Sequence, residues 1–261
     1  MSDSGTSELR KLAIVPAYNE QGMIGRVVRD IKRHAPDFDV VVVDDGSLDA
    51  TAAAAEAEGA TVLRLPFNLG IGGAMQAGYK YALHRNYDLA VQVDGDGQHD
   101  PALLPRLEKA LHSGSAEMVW GSRFLEDAGY EVSKPRRMGQ VIFARLVSTI
   151  TREHVSDPTS GFRMTNRRGI ELFARDYPHD FPEVEAILMV HAHDLQMREV
   201  PVWMRPRTHG SSSIGFHNAA YYMARVLLAI FIGLFRRRPI PLPGDDWLAT
   251  APAEALQSAE R

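Results

Sequence analysis

The densest group of side chains able to do chemistry falls in residues 91–101, VQVDGDGQHDP. Asp94 and Asp96 stand at alternate positions, Gln98 follows, and Gly95 and Gly97 separate them. A short apolar run leads in, so three oxygen donors gather at what reads as a strand end. Like charges a few ångströms apart repel, and without a cation one carboxylate tends to take up a proton. A hard divalent ion shared with a phosphate would relieve that repulsion. The competing explanation is a turn that Asp and Gly favour for local reasons. A calcium loop is excluded, because the positions that would need Gly and Glu hold His99 and Pro105.

Positioning such a loop requires a scaffold, and the hydrophobic pattern supplies one. Residues 12–16 (LAIVP) read as a buried strand, after which Met23, Ile24, Val27, Val28 and Ile31 recur at helical spacing. The β-branched run 40–43 suits a strand covered on both faces. Asp49 is placed to cap the Ala-rich helix that follows, and Gly59 to end it. Strands over 60–65, 89–93 and 118–120 then alternate with helices over 70–83 and 101–111. The order βαβαβαβαβ predicts an α/β fold with a doubly wound, mostly parallel sheet. Ligands bind such sheets outside the carboxyl ends of the strands. AYNE, DDGS, NLGIGGA and DGDGQ follow the first four strands, so four loops should converge on one crevice.

Gly70, Gly72 and Gly73 do not make a dinucleotide fingerprint, since Met75 stands where the last Gly belongs. Close helix–sheet packing or shaping of the pocket floor is the expectation for them. Direct phosphate contact at the helix start is the alternative.

Composition sets the outer limits. With 261 residues, 45% apolar and 24% charged, the chain is of ordinary globular make-up and long enough for a full core. A net charge of -4 offers no general basic field for nucleic acid. Cysteine is absent, which excludes disulfides and thiolate metal sites and fits a reducing compartment. The polar lead, residues 1–10, lacks the apolar stretch of a secretory signal.

In order, IVPAYNE, VVVDDGSLDAT, NLGIGGAMQAG, DGDGQHDP, GSR and DPTSGFR closely resemble the inverting family-2 glycosyltransferases of the GT-A fold. The dolichol-phosphate mannose synthase and polyprenyl-phosphate glycosyltransferase branch is most similar. The resemblance covers residues 12 to about 215 and implies a nucleoside-diphosphate-sugar donor. It places Pro16, Tyr18 and Glu20 on the nucleotide side and Val43 with Asp45, or instead Asp44, at the base. Either Asp would otherwise cap the following helix. It gives Asp94, Gly95 and Asp96 to the donor diphosphate, and Asp94, Asp96 and Gln98 to magnesium or manganese. Arg123 in GSRF matches a position facing the substrates' phosphates, and Arg207 in RTHGSS the arginine that reaches the donor diphosphate. The planar guanidinium fork suits both jobs. Ser213 stands where the family often has Lys.

For the acceptor, the resemblance sets Arg136 where the branch binds the lipid phosphate and Gln140 where a Ser usually assists. Arg137 is a near-equal candidate, and residues 134–137 otherwise read as a solvated helix start. A sugar hydroxyl needs a carboxylate base as it attacks. A lipid phosphate is already anionic and needs only positioning. Glu183 and Glu185 in DFPEVE are the candidate bases, with Glu185 matching the more regular family acid. Without a base step these two would orient loops or bind sugar hydroxyls, which is the favoured role. Asp96, Arg123 and Glu185 are thus the candidate catalytic set.

Beyond residue 215 the composition changes. The apolar run 226–235 is shorter than the roughly 20 residues a span needs, and extending it includes Arg225, which costs about 2.5–3.5 kcal/mol at mid-bilayer. A helix over 216–238 lying in the membrane interface fits better, with Tyr221 and Tyr222 at headgroup depth and Arg236–Arg238 on anionic lipid. Packing against a second subunit or a small membrane protein is the alternative, and 239–261 reads as a disordered tail. The expectation is therefore a metal-dependent transferase, cytoplasmic and peripheral at the inner face of the cell membrane, passing a sugar to a polyprenyl phosphate. A glycan or glycolipid hydroxyl as acceptor, and a noncatalytic sugar-nucleotide-binding partner of a membrane protein, are its rivals. A nucleotidyltransferase would need a glycine-rich phosphate loop after the first strand, which VPAYNEQG is not.

Overall fold

The computed structural model describes residues 9–114, 116–125, 134–179 and 181–205, with residues 134–136 described by backbone alone. Arg207, Ser213, the stretch 216–238 and the tail lie outside the described residues, as does the lead before residue 9.

Alternation along the strands divides the core between two faces of one sheet. In β1 (Lys11–Ala17), Leu12 and Ile14 face one layer and Ala13 and Val15 the other. In β2 (Phe38–Asp44), Val41 and Val43 join the first layer, Val40 and Val42 the second. Helix α1 (Ile24–His34) buries Ile24, Val27, Val28 and Ile31 on one stripe, and Lys32, Arg33 and His34 end it where cations suit the helix dipole. The chain continues through α2 (Thr51–Ala57), β3 (Thr61–Arg64), α3 (Gly70–His84) and β4 (Leu89–Gln92). Asp49 accepts the Thr51 N–H at 2.9 Å, so it does steady the start of α2, although Ala50 is the residue at the cap.

The helix expected over 101–111 opens as a 3₁₀ turn, Pro101–Leu103, before α4 (Leu104–His112). Asp100 starts that turn by accepting the Ala102 N–H at 3.1 Å. Then follow β5 (Met118–Ser122), α5 (Lys134–Thr151), β6 (Arg163–Asn166), α6 (Arg167–Arg175), α7 (Pro182–Ala192) and β7 (Met197–Pro201). Among the described residues the strands lie in the order β3-β2-β1-β4-β6-β5-β7. The parallel expectation holds for β1 to β4, but β6 is antiparallel to both neighbours and separates β5 from β4. The short run RMTN carries no periodicity from which that insertion could be read.

Strand order reverses between β1 and β4, which is where such sheets open a crevice. The β1–β4 ladder stops at Ile14↔Gln92, apart from a last bond from Val93 N–H to the Ile14 carbonyl at 3.0 Å. Pro16, which has no N–H to donate, lies beyond it and is paired in register with Val43 of β2.

Candidate active site

The strand-end loops are tied to one another. Asn19, at φ 55, donates its N–H to Ser47 Oγ at 3.0 Å, and its Oδ1 accepts the Leu48 N–H at 2.9 Å. Glu20 N–H reaches Thr51 Oγ1 at 2.8 Å. These bonds clasp AYNE to DDGSLDAT. Tyr18 remains exposed on that rim. Asp44 closes its own turn by accepting the Ser47 N–H at 3.0 Å. Asp45 accepts from Leu69 N–H at 2.7 Å and Gly70 N–H at 2.8 Å, joining the second loop to the third. The structure thus gives Asp45 a capping job, on α3 and not on the helix that follows it in the chain. Burial pushes its carboxyl up, against the pull of those two amides.

Gly95 joins the first loop to the fourth. A Cβ there would stand 2.9 Å from the Pro16 carbonyl oxygen, so only glycine allows the approach. Gly72 does a similar packing job, because a Cβ would collide with the backbone at Pro178 and His179.

Within the fourth loop, Asp94 Oδ1 accepts from Gln92 Nε2 at 2.9 Å. His99, buried and stacked on Phe162 at 4.8 Å between centroids, accepts the Asp94 N–H on Nδ1 at 3.0 Å. That leaves the proton of the neutral ring on Nε2, 3.5 Å from Asp94 Oδ2. Asp96 Oδ1 accepts the Gln98 N–H at 3.0 Å. Gly161 of DPTSGFR closes over the loop, where a Cβ would lie 3.5 Å from Asp94 Oδ2.

Among the described residues no group of three or more His, Cys, Asp or Glu side chains forms a metal cage. A carboxylate pair without a cage is nevertheless what magnesium and manganese use when substrate phosphates complete their shell. Carboxylate and carboxamide oxygens are the donors such a cation takes, so the donor set fits a hard cation shared with a ligand.

The opposite wall is built from charges that meet across the chain. Arg123, 8% exposed, forms a fork with Asp157, 0% exposed: Nε to Oδ2 at 2.6 Å and Nη2 to Oδ1 at 2.8 Å. Nη2 also reaches Thr159 Oγ1 at 2.8 Å. Asp157 is itself placed by Glu199, whose Oε1 accepts its N–H at 2.8 Å and the Trp120 indole N–H at 3.1 Å. Arg163, fully buried, donates to the carbonyls of Ser160, Pro182 and Glu183. The Glu183 carboxyl sits deep in protein although the residue keeps some exposure. Burial pushes it up, while the Arg163 and Arg123 cations pull it down and Asp94 adds to the rise. Asp94, Arg123 and Arg163 therefore all act on the Glu183 carboxyl. Glu185 lies a half-turn further along α7, partly exposed.

Gln140 is buried on α5, and its Oε1 has no hydrogen-bond partner among the described residues. It lines a cavity of about 560 Å3 together with Arg137, Phe124, Arg145, His154 and Ser156. Phe124 and Ser156 are chain neighbours of Arg123 and Asp157, so the cavity adjoins that ion pair. Arg136 belongs to the first turn of α5, and its side chain is outside the description. His99, Asp157, Arg163 and Glu199 were not singled out from sequence. DPTSGFR and QHDP contain three of them, but only burial and partners reveal their work.

Loops gathered at the carboxyl ends of this sheet, around a carboxylate pair at its reversal point, are those of a GT-A glycosyltransferase. The chain belongs to Glycosyl transferase family 2, which it matches over residues 12–173. It is 30% identical over 216 residues to an undecaprenyl-phosphate mannosyltransferase of Micrococcus luteus, covering 79% of this chain and 88% of that one. With a polyprenol monophosphomannose synthase of Mycolicibacterium smegmatis it shares 28% over 230 residues, 83% of this chain and 85% of that one. A glucosyl-3-phosphoglycerate synthase from Mycobacterium tuberculosis, solved with Mn2+, uridine diphosphate and glucosyl-3-phosphoglycerate, superposes with a TM-score of 0.63 at 19% identity. That likeness covers 86% of this chain and 80% of the other. None of the described helices is long and apolar enough to cross a membrane.

Proposed function

We propose that this family 2 glycosyltransferase moves a sugar from a nucleoside diphosphate to a polyprenyl phosphate, with inversion at the anomeric carbon. The observation that carries the acceptor assignment is the cavity beside the Arg123–Asp157 pair, with Arg137, Arg145 and Gln140 in its wall. The names of the Micrococcus and Mycolicibacterium relatives support the same acceptor class.

On this reading Pro16, Tyr18, Glu20, Val43 and Asp44 border the nucleotide, while Asp45 holds the α3 side of the crevice. Asp94 and Asp96, with Gln98, would hold a divalent cation, which stabilises charge on the departing diphosphate when bound. Arg123, fixed by Asp157, presents its charge to the phosphates without having to be ordered first. Arg136, Arg137 and Gln140 receive the acceptor. Its phosphate oxygen forms the bond to the anomeric carbon as the bond to the nucleotide breaks, and no base is required.

A hydroxyl acceptor is the second reading, and Glu183 favours it. A carboxyl raised by burial and coupled to Asp94 is suited to taking a proton. Mass spectrometry of products from a nucleotide-sugar panel, with manganese and a short-chain polyprenyl phosphate, decides between them. A phosphate-linked glycolipid is expected, lost with chelator and in a folded Asp96→Ala variant. Hydroxyl-linked product alone would overturn the proposal. Arg136→Ala should raise the acceptor KM more than the donor KM.

A further inference from the structure

The loop bearing Asp94, Asp96 and Gln98 is held from behind by a residue that the chemistry above does not use. Arg205, beyond the end of β7, donates its backbone N–H to the Gln98 carbonyl at 2.9 Å. Its Nη1 reaches Asp30 of α1 at 2.6 Å and its Nη2 reaches Asp100 at 2.7 Å. Asp100 is the residue that opens the 3₁₀ turn after the loop. One side chain and one amide therefore tie the loop's exit to α1 and to the segment that follows β7.

Packing does not make that tie redundant. Met23, just before α1, and Val27 within it come up against the loop at Gly97, but beside that contact lies a cavity of about 190 Å3 bordered also by Asp30, Pro101 and Arg205, so apolar packing holds the loop at Gly97 and not at its exit. Repulsion between Asp94 and Asp96 works to open the same loop. Charge-assisted bonds to two carboxylates, on separate elements, oppose it.

We propose that Arg205 is a positioning residue for the cation-binding loop: it keeps Asp94, Asp96 and Gln98 convergent without touching cation or substrate. The proposal rests on reading that loop as the metal site. Removing a partner that orients metal ligands typically weakens affinity about 10- to 100-fold.

The test is manganese binding to the whole protein, followed by electron paramagnetic resonance, alongside hydrogen exchange of residues 94–102. Wild type, Asp96→Ala, Arg205→Gln and Arg205→Lys are compared. Asp96→Ala should lose manganese. Arg205→Gln should bind it about 10-fold more weakly and exchange faster in that segment, with the rest of the chain unchanged. Arg205→Lys keeps the charge but not the fork and should fall between; it carries the comparison if the Gln variant fails to fold. Wild-type affinity in Arg205→Gln, while Asp96→Ala loses the ion, overturns the proposal. Should Asp96→Ala bind as wild type does, the metal reading fails instead, and exchange alone judges the clasp: unchanged rates overturn it, faster rates uphold it.

Discussion

The two walls of the crevice are held by different physics. On the wall formed by the loops after β1, β2 and β3, carboxylates and amides meet through short hydrogen bonds, as where Asp45 holds the α3 amides and Asn19 clasps Ser47 and Leu48. On the wall formed by β5, β6 and α7, buried charges meet charges or carbonyls, as in Arg123 with Asp157 and Arg163 with Pro182 and Glu183. The first kind of wall is a sum of modest, separable contributions. The second is a set of desolvated groups, each of which needs its partner, so losing one member leaves another exposed to the full cost of burial. A rim of separable contacts suits loops that must admit a ligand, whereas the ion-pair wall suits a fixed electrostatic surface, the role proposed for it toward phosphate.

Substitutions on each wall put this contrast to the test. The largest effect is expected from Asp157→Ala, which strands the Arg123 guanidinium in protein and should cost about 3–5 kcal/mol in urea denaturation. A loss under about 1 kcal/mol would mean that the pair is not desolvated in solution. Asp45→Ala, on the other wall, removes two amide contacts at a helix start and should cost about 1–2 kcal/mol. If it equals Asp157→Ala, the two walls do not differ as argued.

The smallest effect concerns pH. Burial holds Glu183 above the ordinary glutamate range, so over the window between the ordinary and raised values the native state keeps a proton that the unfolded chain has released. Stability should therefore fall as pH rises through that window, and Glu183→Gln should remove this component of the slope. Urea midpoints at stepped pH would show it, and an unchanged slope would place the carboxyl in water.

What could be seen in advance follows the same division. The strands over residues 12–16 and 40–43, and the helix stripe Ile24, Val27, Val28, Ile31, are legible because burial repeats at the period of the element. DGDGQ and AYNE are legible because turn residues and acids mark a strand end. Asp45 was visible as an acid at such an end, but its partners, the amides at 69 and 70, belong to another loop. The insertion of β6 between β4 and β5 is invisible, since RMTN has a single apolar residue among polar ones and its partners are remote in the chain.

Sequence alone therefore determined the alternation of strand and helix from β1 to β5, the buried stripe of α1, and the family to which the motifs belong. These are local matters of period, propensity and turn chemistry. Only the tertiary structure decided that Arg123 answers to Asp157, that Asp94 acts on the Glu183 carboxyl, and that Gly161 and Arg205 both approach the acidic loop. Those facts depend on desolvation and on distances between residues far apart in the chain, and neither quantity exists until the sheet has formed.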